Sequence, residues 1–210
     1  MKSLANIKTE NAKNRKNLKN ETLKRRDFLS RLNSLLLSML EGGSFGIVDG
    51  VICSFGLIIG LAAATYNPTL IFVSGLLAGL SDSFGNSIGF FFSQKSERTV
   101  QIVRKRKGMQ EHVHTKRELL TSGLSSFLTT FLIYSIMLIP FLFLDIISAL
   151  LFSISFAIAV LFLLGVYNAY LLKENTKNMI KEGLLYVVVC LITAVISYFV
   201  GSLLNNFILA

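Results

Sequence analysis

The stretch that decides the fold is "GIVDGVICSFGLIIGLAAAT", residues 46–65. It holds a single full charge, Asp49, among aliphatic, small and aromatic residues. A helix rises about 1.5 Å per residue, so about 20 such residues cross the hydrocarbon core of a bilayer. Working outward from it, the chain contains four more runs of this kind. The five are read at residues 43–66, 69–93, 119–144, 146–172 and 183–204. Composition agrees: 52% of residues are hydrophobic, 16% are charged, and mean hydropathy is +0.61, whereas soluble domains are about 25% charged. The sequence therefore predicts an all-α, polytopic membrane protein with five transmembrane helices spread over residues 43–207.

Charge sets the expected orientation. Of 21 Lys and Arg, ten lie in residues 1–42, eight in 94–118 and three in 173–181. The connections near 67–68 and Asp145 and the tail 205–210 have none. Basic residues stay on the cytoplasmic side during insertion. The expected topology thus has a cytoplasmic N-terminus and, after five spans, an outside C-terminus. The net charge of +9 is read as a topology signal, and no nucleic-acid partner is expected. Cys53 and Cys190 both fall inside spans, so they do not form a framework of the secreted kind. The first 30 residues are too long and polar for the start of a cleavable signal.

Residues 1–19 are Lys- and Asn-rich and read as a disordered basic tail. Over 20–42, Leu23, Phe28, Leu29, Leu32, Leu35, Leu36 and Met39 recur at helical spacing between Lys24, Arg25, Arg26 and Arg31. That pattern fits an amphipathic interfacial helix on the inner membrane surface, or a helix packed on the cytoplasmic faces of the spans. The basic cytoplasmic loop 94–118 contains "RKRK" (104–107), suited to anionic head groups or to solvent. It also contains "MQEHVH" (109–114). Glu111, His112 and His114 there could capture a divalent metal in the cytoplasm, or simply be solvated.

The first two spans are glycine-rich. Gly46 and Gly50, Gly56 and Gly60, Gly75 and Gly79, and Gly85 and Gly89 form four small-xxx-small pairs. Lipid supplies no hydrophobic drive between helices, so such pairs let backbones approach for van der Waals contact. Tight helix packing is expected at all eight positions, with the span-one pairs facing a second copy of the chain.

A charge at mid-bilayer costs on the order of 2.5–3.5 kcal/mol on the lenient insertion scale. Asp49 and Asp82, the latter in "GLSDSFGNSIGFF", each need a cation, a proton or a wet cavity. Asp49 and Cys53 are i, i+4 neighbours on span one, as Asp82 and Asn86 are on span two. Oxygens with one softer ligand suit hard and borderline divalent ions, making these four residues the candidate metal ligands. For three of them a plainer reading stands beside this one. Cys53 could be a small buried apolar residue, Asn86 a cross-helix hydrogen bonder and Asp82 an interfacial acid. Asp49 has no good packing explanation.

These residues resemble a known family. "DGVICSFGLIIGLAAAT", a tight turn, and "GLLAGLSDSFGNSIGFFFSQKSER" are similar to the first two spans of the vacuolar iron transporter family. The later "LFLLGVYNAYLL" and "LITAVISYFVGSLL" fit as well. The resemblance covers about residues 40–205 and is most specific over 46–98. It implies a five-span homodimer in the bilayer, with a pathway between the two first spans, that moves iron(II) or manganese(II). The family's span-one aspartate falls on Asp49. This chain has Asn86 where the family usually has methionine and Phe90 where it has glutamate. The acidic cytosolic metal-binding segment of eukaryotic members is replaced by the basic loop, and Asp82 could supply the missing carboxylate from a new position.

The expected function is therefore export of divalent metal from the cytoplasm for metal homeostasis, coupled to protons. The other reading is a non-transporting membrane scaffold or regulatory protein that keeps the fold with a degenerate site. No nucleophile–base pair or catalytic metal triad is visible, so an enzyme is not expected. Neither is a cofactor beyond the transported ion. The expected location is an integral, multi-pass position in a membrane, the cell membrane in a prokaryote.

Overall fold

The structure, a computed structural model, describes the backbone of residues 4–110 and 113–208; side chains are described over 25–207 within those limits, 27 and 31 apart. Its described residues form helices α1 (Leu4–Thr65), α2 (Pro68–Arg106), α3 (Lys116–Leu138), α4 (Pro140–Phe143), α5 (Ile146–Leu171) and α6 (Thr176–Ile208). Five stretches are long and apolar enough to cross a bilayer: Phe28–Thr65, Pro68–Arg106, Lys116–Phe143, Ile146–Leu171 and Thr176–Phe207. The expected spans correspond to these one for one. The third span runs through α3 and the short α4, where Pro140 interrupts the helix.

Where the sequence suggests a disordered tail and a separate interfacial helix, the backbone is one 62-residue helix. No glycine or proline occurs before Gly42, so nothing in the chain breaks a helix earlier. The helix continues through Gly42, whose missing Cβ lets the backbone rest on the carbonyl of Ser122. The amphipathic pattern is visible on the surface all the same: Arg25, Arg26, Phe28, Leu29, Leu32 and Leu36 are exposed.

The joints follow from local chemistry. Tyr66 turns the chain with a positive φ of 50°. Asn67 then caps α2 by accepting from the Leu70 N–H at 3.1 Å, with Pro68 in the first turn. Thr115 and Glu118 form a reciprocal capping box at the start of α3. Asp145 caps α5 by accepting from the Ser148 N–H at 3.0 Å.

Packing is arranged for lipid. Leu120, Leu124, Leu128 and Leu132 line the outside of α3, and Leu191, Ile192, Val195, Ile196 and Phe199 line the outside of α6, all exposed. The interior instead holds Ser54, Ser83, Ser122, Ser126, Thr130 and Ser153, all buried beside Val51, Phe55, Ile58, Met137 and Leu161. Several of these serines donate to the carbonyl one turn back, as Ser54 does to Gly50 (2.5 Å) and Ser83 to Gly79 (2.6 Å). Small hydroxyl residues inside and large apolar ones outside are what helix association in a membrane requires.

Six of the eight glycines expected to pack helices do so within this chain. Gly46 and Gly50 lie on α3 at Ser126, Thr130 and Ile133, and Gly56 and Gly60 lie on α6 at Ser197. Gly75 and Gly79 receive Leu138 and Tyr134 of α3. This corrects the expectation that the span-one pairs face a second copy. Gly46 and Gly50 are covered by α3, and Gly56 and Gly60 touch α6 at the side of a groove of about 610 Å³ between α1, α2 and α6. At Gly85 and Gly89 a side chain would meet nothing within 4 Å, so these two pack no helix of this chain.

Candidate metal site

Three helices bring pairs of residues, each one turn apart, to the same place. From α1 come Asp49 and Cys53, from α2 Asp82 and Asn86, and from α3 Thr130 and Tyr134. The close approach of α1 to α3 along Gly46 and Gly50 puts Thr130 behind Asp49. The seating of Tyr134 on Gly79 brings α2 in from the other side. Thus the glycines set the distances at which the polar groups meet.

One potential ligand atom each from Asp49, Cys53 and Asp82 lie within 4.8 Å of one another, and all three residues are half-buried. Asn86 Nδ2 donates to Asp49 Oδ2 at 2.5 Å and to Thr130 Oγ1 at 3.3 Å. Thr130 in turn donates to the Gly46 carbonyl at 3.2 Å. Asp49 is therefore held from behind by an amide whose orientation a buried hydroxyl fixes. Asp82 is different. Its Oδ2 is buried and has no hydrogen-bond partner, while Tyr134 lies against its carboxyl. Two carboxylates this close, in a region of low dielectric, repel unless a cation or proton lies between them. Oxygens at this separation can close on a divalent ion at about 2.0–2.6 Å with small side-chain movements.

All four sequence-predicted residues thus converge, and Asp82 places a buried carboxylate oxygen beside Asp49. Asn86 has the dual character its alternatives described, since its amide hydrogen-bonds across helices inside the site. Phe90 packs on Phe45 with ring centroids 5.2 Å apart. Phe45 precedes Asp49 and Phe90 follows Asn86 by one turn, so the rings border the site toward the start of α1.

Thr130 and Tyr134 were missed by sequence reasoning. The signal was present, because Glu118, Ser122, Ser126, Thr130 and Tyr134 recur every fourth residue of α3 and all are buried. A four-residue polar period in a membrane helix marks the face turned to its neighbours.

The cytoplasmic cluster stands apart. Glu111 and His112 lie outside the described residues. His114 sits at the α2–α3 junction, where its N–H donates to Gln101 (2.9 Å) and its carbonyl accepts from Arg98 (2.7 Å). Its Nδ1 is 3.3 Å from Glu118 Oε2, and its Nε2 is 4.0 Å from Glu97. Fourteen residues of α3, about 21 Å, separate Lys116 from Thr130 at the membrane site. His114 ties two helices together and does not join that site.

The sequence pattern of the VIT family matches residues 43–119 and 101–202, which take in every residue of the membrane site. The chain belongs to the VIT family. The resemblance read over about residues 40–205 is thereby supported over 43–202, and membership points to transport of metal ions by an integral membrane protein. The chain is also similar to an uncharacterized protein of the archaeon Methanocaldococcus jannaschii, at 27% identity over 165 residues. That match covers 74% of this chain and 84% of the archaeal one.

Proposed function

We propose that this protein carries iron(II) or manganese(II) out of the cytoplasm in exchange for protons, with Asp49 and Asp82 as the charged ligands. The observation that carries the reading is the buried, unpartnered Oδ2 of Asp82 beside Asp49. A carboxylate oxygen left unpaired inside a protein costs on the order of 1–3 kcal/mol or more, and a passing cation removes that cost. Ligation needs deprotonated carboxylates, so metal and protons compete for the same oxygens, and exchange follows from the site's own chemistry. Asn86 holds Asp49 in place, and the carbonyl of the same amide is available to an ion.

In this reading the transporting unit is a homodimer. The half-buried ligands lie between α1 and α2, and Gly85 and Gly89 on α2 are left uncovered within the chain. Reconstituted in liposomes with an outward pH gradient, the protein is expected to move Mn²⁺ or Fe²⁺, and Asp49→Asn to abolish the flux. A wild-type protein that folds, inserts and moves neither ion in any gradient would support the scaffold reading instead.

A further inference from the structure

Cys53 is a potential metal ligand at the site that the proposed transport of iron or manganese does not use. It is one turn along α1 from Asp49, and its sulfur lies within 4.8 Å of carboxylate oxygens from both α1 and α2. The other sulfurs of the core point elsewhere. Met137 accepts a hydrogen bond from Ser54 Oγ at 2.9 Å, and Cys190 is buried on α6. Cys190 is fully buried in the apolar core, and Cys53 packs against that core as well. What sets Cys53 apart is that its sulfur also lies beside two acids.

Resting on the metal-transport reading of this site, we propose that Cys53 is a metal ligand that extends the cargo to soft and borderline divalent ions, Cd²⁺, Zn²⁺ and Co²⁺. Charge balance gives the physical reason. A divalent ion in low dielectric is best matched by two negative ligands, because a third leaves a net charge that is costly to bury. Hard ions such as Mn²⁺ or Mg²⁺ take the two carboxylates, and the thiol stays protonated at the side. A softer ion binds sulfur more strongly than oxygen. The S–H bond then breaks as the S–metal bond forms, and the proton passes to the carboxylate left out of the coordination. The same three groups thus offer two neutral arrangements, and the softness of the ion selects between them.

The test uses the full-length protein in detergent and in liposomes, with Cys190→Ser as the background so that only one thiol remains. Titration with Co²⁺ reads thiolate ligation directly, through the sulfur-to-metal charge-transfer absorption. The background protein should show this band and Cys53→Ser should not. In liposomes, Cys53→Ser should lower the Cd²⁺-to-Mn²⁺ flux ratio by about tenfold or more, the low end for losing a supporting group at a metal site. An absent band, or one that persists in Cys53→Ser, overturns the inference, as does an unchanged flux ratio. The transport reading fails separately. If the band depends on Cys53 but no ion crosses the bilayer, Cys53 is a ligand in a protein that does not transport. If Mn²⁺ crosses and the band is absent, the protein transports and Cys53 is not a ligand.

Discussion

At the scale of single residues, Asp49 and Asp82 differ in how they are supported. Asp49 is anchored by Asn86, and Asn86 by Thr130, while Asp82 keeps a buried oxygen in reserve. Asp49→Asn and Asp82→Asn preserve shape, so both variants are expected to insert and unfold cooperatively in detergent while metal flux falls to background. Loss of flux in Asp49→Asn alone would return Asp82 to a structural role. Asn86→Leu acts differently, because it leaves a charged acceptor without its donor. It is expected to lower stability by about 1.5–3 kcal/mol, the range for hydrogen bonds to charged groups, read as a fall in the midpoint of thermal or denaturant unfolding.

At the scale of helices, the packing depends on which glycines are covered. A leucine at Gly46 meets the carbonyl of Ser126 and the side chains of Thr129 and Thr130. Gly46→Leu should therefore push α1 off α3, cost at least about 1–3 kcal/mol, and pull Asp49 away from Asn86. Gly85→Leu meets nothing within this chain and replaces a poor helix former, so the stability of the monomer should hold. Any effect it has on cross-linking or flux belongs to association between copies. The helix caps give a further check. Hydrogen bonds from Ser148, its side chain first and its backbone second, hold the exposed Asp145 carboxyl below its ordinary value. A group with a depressed folded-state pKa contributes stability above its unfolded value, near 3.9, and loses it as pH falls through the folded one. The small acid-side decline in unfolding midpoint below about pH 4 should thus be shallower in Asp145→Ala.

At the scale of the whole molecule, the basic residues define an orientation. Those of the α2–α3 connection and of the start of α1 are expected on the cytoplasmic side, and the end of α6 outside. A single cysteine placed at Lys105 should be protected from impermeant thiol reagents in intact cells, and one at Asn206 should react. The opposite labelling pattern would invert the direction of transport argued above. The arrangement also explains why the site is well defined despite its polarity. α1 runs through the middle of the bundle, touching α3 along one face and α6 and α2 along others, so Asp49 and Cys53 are fixed by packing on several sides.

The number of spans, their approximate limits and the presence of a carboxylate, Asp49, inside the first of them were legible in the sequence, because hydropathy and charge are properties of the chain itself. So was the pairing of Asp49 with Cys53 and of Asp82 with Asn86, which helical periodicity alone dictates. Hydropathy could not say how each helix is rotated. In a membrane both the lipid and the interior are apolar, so the usual contrast between a wet face and a dry one is missing. Rotation was decided by where Gly46, Gly50, Gly75 and Gly79 let α1, α2 and α3 come together. That packing turned Asp82 toward Asp49, added Thr130 and Tyr134, gave the span-one glycines to the chain's own helices and left Gly85 and Gly89 bare. The unbroken passage of α1 through Gly42 was likewise accompanied by a contact the sequence pattern does not show, with Ser122, 80 residues further along the chain.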